Sequence, residues 1–212
     1  MKSEKATIKG MKKTGETAAV VLAAGLSSRM GEFKQLLPIG GQPAVCRIVD
    51  VLIPLLHRVV VVVGHRADEV EQALGDRTVL CVRNEDFRDG MLSSVQCAVH
   101  ALGNQTNYLI CLGDQPSLAE DTVATVLRAG ESAAEGIVVP TFSGKRGHPL
   151  FLHRRYHQAI IDLPDGVGLN ALTRSQPQDT LEVPMDRREI LEDMDTPQDY
   201  LRETARGCAE DC

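Results

Sequence analysis

The feature that most constrains the fold is the segment RVVVVV at residues 58–63, which contains five consecutive valines. Valine is branched at Cβ, and this stiffness favours an extended strand over a helix. Short apolar runs of the same kind occur at residues 18–22, 78–82, 108–112 and 136–139. Strands without polar alternation suit a parallel sheet that is covered on both faces.

Segments with helical periodicity separate these runs. Ser117 and Glu120 form an S-x-x-E pattern that predicts a capping box, and Thr196 followed by Pro197 predicts the start of a last helix. Alternating strands and helices predict an α/β protein of three layers, α/β/α, around a mainly parallel, Rossmann-like sheet. The earlier helices are predicted at residues 44–56, 67–74, 94–101 and 118–129.

Length and composition narrow the class of protein. The 212 residues suit one α/β domain, predicted at 18–205 between flexible tails at 1–17 and 206–212. A net charge of −6 and an aromatic content of 3% argue against nucleic acid or an anionic membrane as partner. The apolar run at 18–24 is too short to span a bilayer, and the six cysteines form no CxxC pair. We therefore expect a cytoplasmic protein in a reducing compartment.

The segment after the first strand, AAGLSSRMGEFK at residues 23–34, carries the strongest functional signal. It leaves the carboxyl end of a strand, where open α/β sheets bind ligands. Small residues at 23–25 let a ligand approach the backbone, whose N–H groups can hold an anion. Arg29 and Lys34 add two cations suited to phosphate. The alternative is a surface loop in which both side chains are merely solvated.

Two familiar phosphate-binding motifs do not fit this loop. A P-loop requires G-x-x-x-x-G-K-[ST], but Gly31 is followed by Glu32 and Phe33. A dinucleotide fingerprint requires G-x-G-x-x-G, and Ser27 stands where its second glycine would be. If the loop binds phosphate, it does so through neither of these two motifs.

LAAGLSSRMGEFK at residues 22–34 resembles the L-A-[AG]-G-x-S-x-R-M-G-x-x-K signature of the molybdenum cofactor nucleotidyltransferases, a MocA/MobA-like family. The resemblance implies a sheet of the nucleotide-diphospho-sugar transferase type and a loop that wraps a triphosphate, with Arg29 and Lys34 on the phosphates. Ala24 is typical of the cytidylyltransferase branch and favours CTP over GTP. The nucleotide contacts implied in this segment are Leu22, Ala23, Ala24, Gly25, Ser27, Ser28, Arg29 and Lys34.

Asp114 follows the apolar run at 108–112 within the sequence LGDQP. A carboxylate at the end of a central strand can hold Mg²⁺, which prefers one or two carboxylates together with phosphate oxygens and water. Asp114 could instead be an ordinary turn residue. The segment GDQP resembles the family's G-D-x-P, which implies that Asp114 contacts both the metal and the nucleotide.

Two further segments resemble nucleotide-binding elements of the same family. Gly64 and His65 match V-x-G-H, which implies that Gly64 lines the nucleotide pocket, while we expect His65 to be structural. GMLSSV at residues 90–95 matches G-M-x-x-S-[LV] and implies a contact from Ser94 to the base. Ser93 or Ser94 could equally be only the N-cap of the next helix.

The acceptor side of the site is predicted from GKRGHP at residues 144–149, which resembles G-x-R-G-H-P. The resemblance implies that Arg146, Gly147 and His148 bind the acceptor, with the charges of Lys145 and Arg146 near its phosphate. The alternative is a hairpin with solvated charges.

A second metal-facing acid is predicted from DMDTP at residues 193–197, which resembles D-x-D-T-P-x-D. Asp193 and Asp195 alternate along an extended chain, so only one is expected to face the metal. We favour Asp195, together with Asp114, although Asp195 could instead only cap the last helix.

The resemblance implies a magnesium-dependent enzyme that moves CMP from CTP to molybdenum-bearing molybdopterin and releases pyrophosphate. Arg29, Lys34 and Asp114 would be its catalytic residues. An acceptor phosphate is already ionised, so the work is positioning and charge neutralisation. The open alternatives are GTP as donor, another phosphorylated acceptor, and a delivery protein that binds the cofactor without catalysis. The resemblance also implies transient contact with a molybdoenzyme or its chaperone.

Overall fold

A computed structural model describes residues 14–27 and 30–210, with the side chains of 16–27 and 30–206. Within them the strands are β1 (Thr14–Leu22), β2 (Pro38–Ile39), β3 (Gln42–Pro43), β4 (Leu56–Val63), β5 (Leu80–Arg83), β6 (Asn107–Leu112), β7 (Ile137–Phe142), β8 (Lys145–Arg146), β9 (Leu150–Leu152) and β10 (Thr180–Pro184). The α-helices are α1 (Ala44–Leu52), α2 (Ala67–Leu74), α3 (Met91–Leu102), α4 (Glu120–Ser132), α5 (His157–Ile161), α6 (Asn170–Ser175) and α7 (Pro197–Glu210). Short 3-10 helices cover Lys34–Leu36, Phe87–Asp89, Arg154–Tyr156, Pro177–Asp179 and Arg188–Leu191.

The main sheet has the strand order β10-β7-β9-β6-β1-β4-β5, and β8 pairs with the carboxyl end of β7. The pairs β6–β1, β1–β4, β4–β5 and β10–β7 are parallel. β9 runs antiparallel to both β6 and β7, and β2 and β3 form a small separate hairpin. The sheet is therefore mainly parallel, and the predicted α/β class is confirmed.

The central strands are buried on both faces, as the valine run predicts. Val20 pairs with Val60 and Val21 with Val61, and all four side chains are fully buried. Val21 and Val61 belong to the cluster that contains residues of α1, α2 and α4, whereas Val20 and Val60 belong to the cluster that contains residues of α3, α5 and α6. Burying such a side chain stabilises the fold by about 1.5–3 kcal/mol. The three layers follow from this alternation.

Several boundaries differ from the prediction. β1 begins at Thr14, inside the segment predicted as a tail, and α7 continues to Glu210, through most of the other predicted tail. α1 ends at Leu52: the Ile53 N–H still donates to the Val49 carbonyl at 3.0 Å, but Pro54 has no N–H with which to continue the helix. The predicted capping box is wrong: α4 begins at Glu120, and the Ser117 hydroxyl donates to Glu203 of α7 instead.

The segment 144–177, predicted to be rich in loops, contains β8, β9, α5 and α6. β9 was not predicted because Leu150–Leu152 is too short to show a period. It is nevertheless fully inside the sheet, between β6 and β7. No helix in the described part of the chain is both long and apolar enough to span a bilayer.

Candidate active site

A cleft of about 370 Å³ opens at the carboxyl ends of β1 and β6, beside the segment that follows β5. This is where ligands of open α/β sheets bind, because the loops that follow parallel strands meet there. The chain segments that form it are far apart in sequence and converge only through the strand order. The cleft is lined by Leu22, Ala24, Gly25, Leu26, Lys34, Gln35, Phe87, Arg88, Gly90, Met91, Ser94, Leu112, Asp114, Asp193 and Asp195.

The loop after β1 is closed by its own side chains. The Ser27 hydroxyl donates to Gln35 Oε1 at 3.0 Å and accepts from the Lys34 backbone N–H at 3.2 Å. Ser27 has a positive φ of 53°, a conformation that side-chain-bearing residues rarely adopt. These bonds hold the loop folded back toward β1, so Ser27 shapes the loop and does not line the cleft. Ser28 and Arg29, both predicted nucleotide contacts, lie outside the described residues.

Lys34 lies between two acids of the cleft. Its ammonium donates to Asp114 Oδ2 and, at 2.9 Å, to Asp195 Oδ1. Burial lowers the pKa of Lys34, but the charge of Asp114 and the hydrogen bonds to both acids outweigh burial and raise the pKa above its usual value. Lys34 is therefore charged throughout the physiological range. The structure brings these three residues, predicted from separate motifs, into one pocket.

Gly113 sets Asp114 against the loop after β1. The Gly113 N–H donates to the Leu22 carbonyl at 2.9 Å, and a Cβ on Gly113 would lie only 2.6 Å from that same oxygen. Any side chain here would force the two loops apart. From the other side, the Met194 N–H donates to the Asp114 carbonyl at 2.9 Å and joins the C-terminal segment to the cleft.

Gln115 was not singled out from the sequence, yet it organises the acidic side of the cleft. Its side chain is 2% exposed and donates to Asp193 Oδ1 at 2.7 Å and to the Ile190 carbonyl at 3.3 Å. Asp193 thus lines the cleft together with Asp195, and which of the two would face a metal stays a prediction. Burial, followed by the charge of Asp114, raises the pKa of Asp193 to about 6. In the sequence, the only feature that could have pointed to Gln115 is its position directly after Asp114.

The donor set fits a cation bound partly by phosphate. Asp114 and Asp195 already share one cation, the Lys34 ammonium. Among the described residues no group of three or more His, Cys, Asp or Glu side chains is close enough to hold a metal unaided. Mg²⁺ needs only one or two carboxylates when phosphate and water complete its shell. Asp114 and Asp195 could supply them.

The far side of the cleft has fewer charges. Ser94 is 4% exposed, lines the cleft and accepts a hydrogen bond from Asn84 Nδ2 at 3.0 Å. Phe87 and Met91 flank it, and Met91 is 54% exposed. Ser94 thus lies in the lining of the cleft, and its contact with a base stays a prediction.

Gly64 and His65 have packing roles in the structure. A Cβ on Gly64 would lie 2.7 Å from Phe87 and 2.9 Å from Ala24, so Gly64 permits close packing behind the cleft rather than lining it. The His65 ring packs edge-on against Phe33 at 5.5 Å. Ala23 is likewise fully buried behind the cleft.

The three predicted acceptor residues lie outside the lining of the cleft. Arg146 is ion-paired with Glu182 of β10 at 2.7 Å. A Cβ on Gly147 would lie 2.2 Å from the Ile190 carbonyl, and the His148 N–H donates to that carbonyl at 3.0 Å. Because Gln115 binds the same carbonyl, Gly147 and His148 border the acidic side of the site. Burial lowers the pKa of His148 to about 4, so its ring is neutral at pH 7.

The fold and this cleft define a class of protein: an α/β protein of the nucleotide-diphospho-sugar transferase fold with a lysine and acids at the ligand edge of its sheet. The model of the MobA-like NTP transferase domain matches residues 19–180. The chain therefore belongs to the MobA-like NTP transferase family and is a nucleotidyltransferase.

Individual relatives agree with this assignment. The molybdenum cofactor cytidylyltransferase of Escherichia coli K12 is 28% identical over 86% of this chain and 92% of its own length. A nucleotidyl transferase from Methanothermobacter is 27% identical, with a TM-score of 0.79 over 93% of this chain and 100% of that one. Rv0371c of Mycobacterium tuberculosis H37Rv in complex with manganese is 26% identical, with a TM-score of 0.75 over 91% of this chain and 100% of that one.

Proposed function

We propose that this enzyme transfers CMP from CTP to molybdenum-bearing molybdopterin and releases pyrophosphate, with Mg²⁺ as cofactor. The observation that carries the proposal is the Lys34 ammonium held between Asp114 and Asp195 at the ligand edge of the sheet. The similarity to a molybdenum cofactor cytidylyltransferase over most of both chains supports the acceptor.

In this reaction an acceptor phosphate oxygen attacks the α-phosphorus of CTP in line with the departing pyrophosphate. The acceptor phosphate is ionised at neutral pH, so the protein needs to position and neutralise rather than to remove a proton. Bound Mg²⁺ would neutralise triphosphate charge, and Asp114 and Asp195 are the residues that would hold it. Lys34, released from these acids, would pair with the departing phosphates. Arg29 is proposed for the same phosphates on the strength of the motif.

A divalent cation is supported by the acids and by a relative. Asp114 lies close enough to Asp193 to raise the pKa of the Asp193 carboxyl, which is the electrostatic setting that a divalent ion relieves. The similar Rv0371c has been solved with manganese. We propose that this chain uses a divalent ion of the same kind.

CTP as donor is supported by Ala24, which lines the cleft and matches the cytidylyltransferase form of the motif. The acceptor would enter beside Gly147 and His148, which border the acidic side. Arg146 could meet an acceptor phosphate only after leaving Glu182.

The decisive experiment measures pyrophosphate release with each of the four NTPs, with and without molybdenum-bearing molybdopterin and Mg²⁺. We expect release that requires CTP, acceptor and metal together. Asp114→Asn should reduce the rate by roughly 10²–10³, the scale of losing one transition-state contact. Asp162→Asn, which changes an exposed acid of the α5 end, is the matched control.

Each other result assigns a different function. Release with GTP alone would make the protein a guanylyltransferase. Release with another phosphorylated acceptor only would refute molybdopterin as substrate. Tight CTP binding without turnover under any condition would identify a delivery protein and refute the enzymatic proposal.

A further inference from the structure

We propose that Asn84 is a positioning residue for nucleobase recognition: it fixes the Ser94 hydroxyl as a hydrogen-bond donor pointed into the cleft. The inference rests on the proposed function, because it concerns how the same cleft reads the base of its nucleotide. It assigns a role to a residue outside the motifs discussed above.

Asn84 is placed by the backbone of the central sheet. It directly follows β5, its N–H donates to the Val63 carbonyl at 2.8 Å, and the residue is only 5% exposed. The carboxamide therefore stays at the end of β4, behind the cleft. A buried carboxamide must have its donors and its acceptor satisfied, which fixes its contacts.

The orientation of the carboxamide is set by one contact. The Asp86 backbone N–H lies 3.0 Å from Asn84 Oδ1. A backbone N–H can only donate, so the atom facing it must be the oxygen, and the flipped amide is excluded. The Nδ2 hydrogens must then face the two serines, Ser93 at 2.9 Å and Ser94 at 3.0 Å.

The two serine hydroxyls both accept a hydrogen bond from Asn84 Nδ2, but they differ in the acceptor to which each donates its own proton. Ser93 Oγ lies 2.9 Å from both the Asp86 and the Gly90 carbonyls, so its proton is used within the loop. Ser94 Oγ accepts from Asn84, and the described residues offer its proton no acceptor. Ser94 lines the cleft, whereas Ser93 does not. The Ser94 proton is thus available to a ligand.

A free hydroxyl can donate or accept and therefore distinguishes poorly between bases. With Asn84 donating to its oxygen, Ser94 is biased toward donating. It then favours an acceptor on the base edge, such as a pyrimidine carbonyl or ring nitrogen, and it disfavours an amino group at that point. Asn84 thereby shapes specificity without touching the base.

Asn84→Asp tests this assignment, because it replaces the Nδ2 donor that faces the serines with a carboxylate oxygen, which only accepts hydrogen bonds. The carboxylate can still accept from the Asp86 N–H, but its other oxygen accepts from serine and draws the Ser94 proton away from the cleft. We measure binding of CTP, GTP and inorganic tripolyphosphate by calorimetry with Mg²⁺. CTP should bind roughly 10- to 100-fold more weakly, the scale of one mispaired buried group. Tripolyphosphate has no base to contact Ser94, so its affinity should stay within about twofold of wild type, roughly three tenths of a decade.

The tripolyphosphate arm separates base recognition from simple charge repulsion or misfolding, since either of those weakens every ligand. Ser94→Ala should reproduce the loss for CTP, and Asn84→Asp should add little in the Ser94→Ala background because the two act through one hydroxyl. Ser93→Ala is the matched control and should keep the wild-type ratio of CTP to tripolyphosphate affinity. If Asn84→Asp does not fold, Asn84→Ala is measured in its place and should reduce the same ratio.

The two proposals fail differently. Wild-type protein that binds CTP and GTP no tighter than tripolyphosphate reads no base, which refutes both proposals. Wild-type protein that prefers CTP, with Asn84→Asp or Asn84→Ala retaining that preference in full, refutes only the role of Asn84. A preference for GTP that Asn84→Asp abolishes keeps the role of Asn84 and corrects the nucleotide.

Discussion

Asp193 is a carboxylate that folding holds in an unfavourable place. Burial and the nearby Asp114 raise its pKa from 3.8 to about 6. The hydrogen bond from Gln115 opposes this shift and holds the carboxylate in position. In metal-free protein the native state therefore keeps this proton in a pH range where the unfolded chain has lost it. The contribution of Asp193 to stability therefore falls as the pH rises from about 4 to 6 and remains lower above that range.

Asp193→Asn removes this cost and retains an oxygen for Gln115. We expect the free energy of unfolding in EDTA to increase by about 1–2 kcal/mol at pH 7, less than the full shift implies because the side chain is partly solvated. At pH 3, below both pKa values of Asp193, the variant and wild type should be equal. Urea denaturation at both pH values measures this, with Asp162→Asn as control. A gain that is the same at both pH values would contradict the assignment.

Gly113 tests how closely two loops of the site approach each other. In Gly113→Ala the new Cβ would stand 2.6 Å from the Leu22 carbonyl, a backbone atom that cannot turn away. We expect a loss of about 1–3 kcal/mol in unfolding free energy and a larger loss of turnover, because Asp114 moves with residue 113. In the control Gly25→Ala, the new Cβ meets, among the described residues, only Gln35 Nε2 at 3.8 Å, so its unfolding midpoint should match wild type. Wild-type stability in Gly113→Ala would show that the loops can separate freely.

At the scale of residues, the sequence predicted the side chains that carry a charge or a hydroxyl within a recognisable motif. Lys34, Asp114 and Asp195 come together as expected, and Ser94 lines the opposite side. The residues that orient them were missed. Gln115 and Asn84 orient side chains that only the folded chain brings near them. An uncharged amide belongs to no motif that would predict this orienting role from the sequence.

At the scale of elements, α4 and β9 share one tight contact. A Cβ on Gly130 of α4 would lie 2.5 Å from the ring of Phe151 in β9. Alanine favours helix over glycine by about 1 kcal/mol, yet we expect Gly130→Ala to destabilise the protein by about 1–3 kcal/mol because the ring is fully buried and cannot move. Thermal unfolding measures the loss. Adding Phe151→Leu should recover part of it, and a stabilised Gly130→Ala would show that propensity outweighs packing here.

The elements predicted well are those whose own sequence decides their conformation. The valine run of β4 and the apolar run of β6 favour strands by their own composition, and each lies inside the sheet with a strand on both sides. β9 is three residues long, and its place between β6 and β7 depends on pairing with both. The capping box was predicted wrongly for the same reason: the Ser117 hydroxyl donates to Glu203 of α7, a partner distant in sequence.

At the scale of the whole molecule, the C-terminal segment returns across the sheet to complete the site. The Met194 N–H binds the Asp114 carbonyl, and Tyr200 of α7 donates to the Pro38 carbonyl at 3.2 Å. Lys34 then joins the loop after β1, the loop after β6 and this segment through two carboxylates. One ammonium thereby links three distant parts of the chain.

Lys34→Met should therefore destabilise the whole protein, because it leaves Asp114 and Asp195 without the cation that they share. Breaking a buried ion pair costs about 3–5 kcal/mol, and since Lys34 is 12% exposed and Asp195 is 30% exposed we expect about 2 kcal/mol. A divalent ion can replace the missing charge without competing with an ammonium. Millimolar Mg²⁺ or Mn²⁺ should thus raise the unfolding temperature more in Lys34→Met than in wild type. Lys145→Met, at an exposed lysine of β8, should respond like wild type. An equal response of Lys34→Met and wild type would mean that the metal and the Lys34 ammonium do not share a place between the two acids.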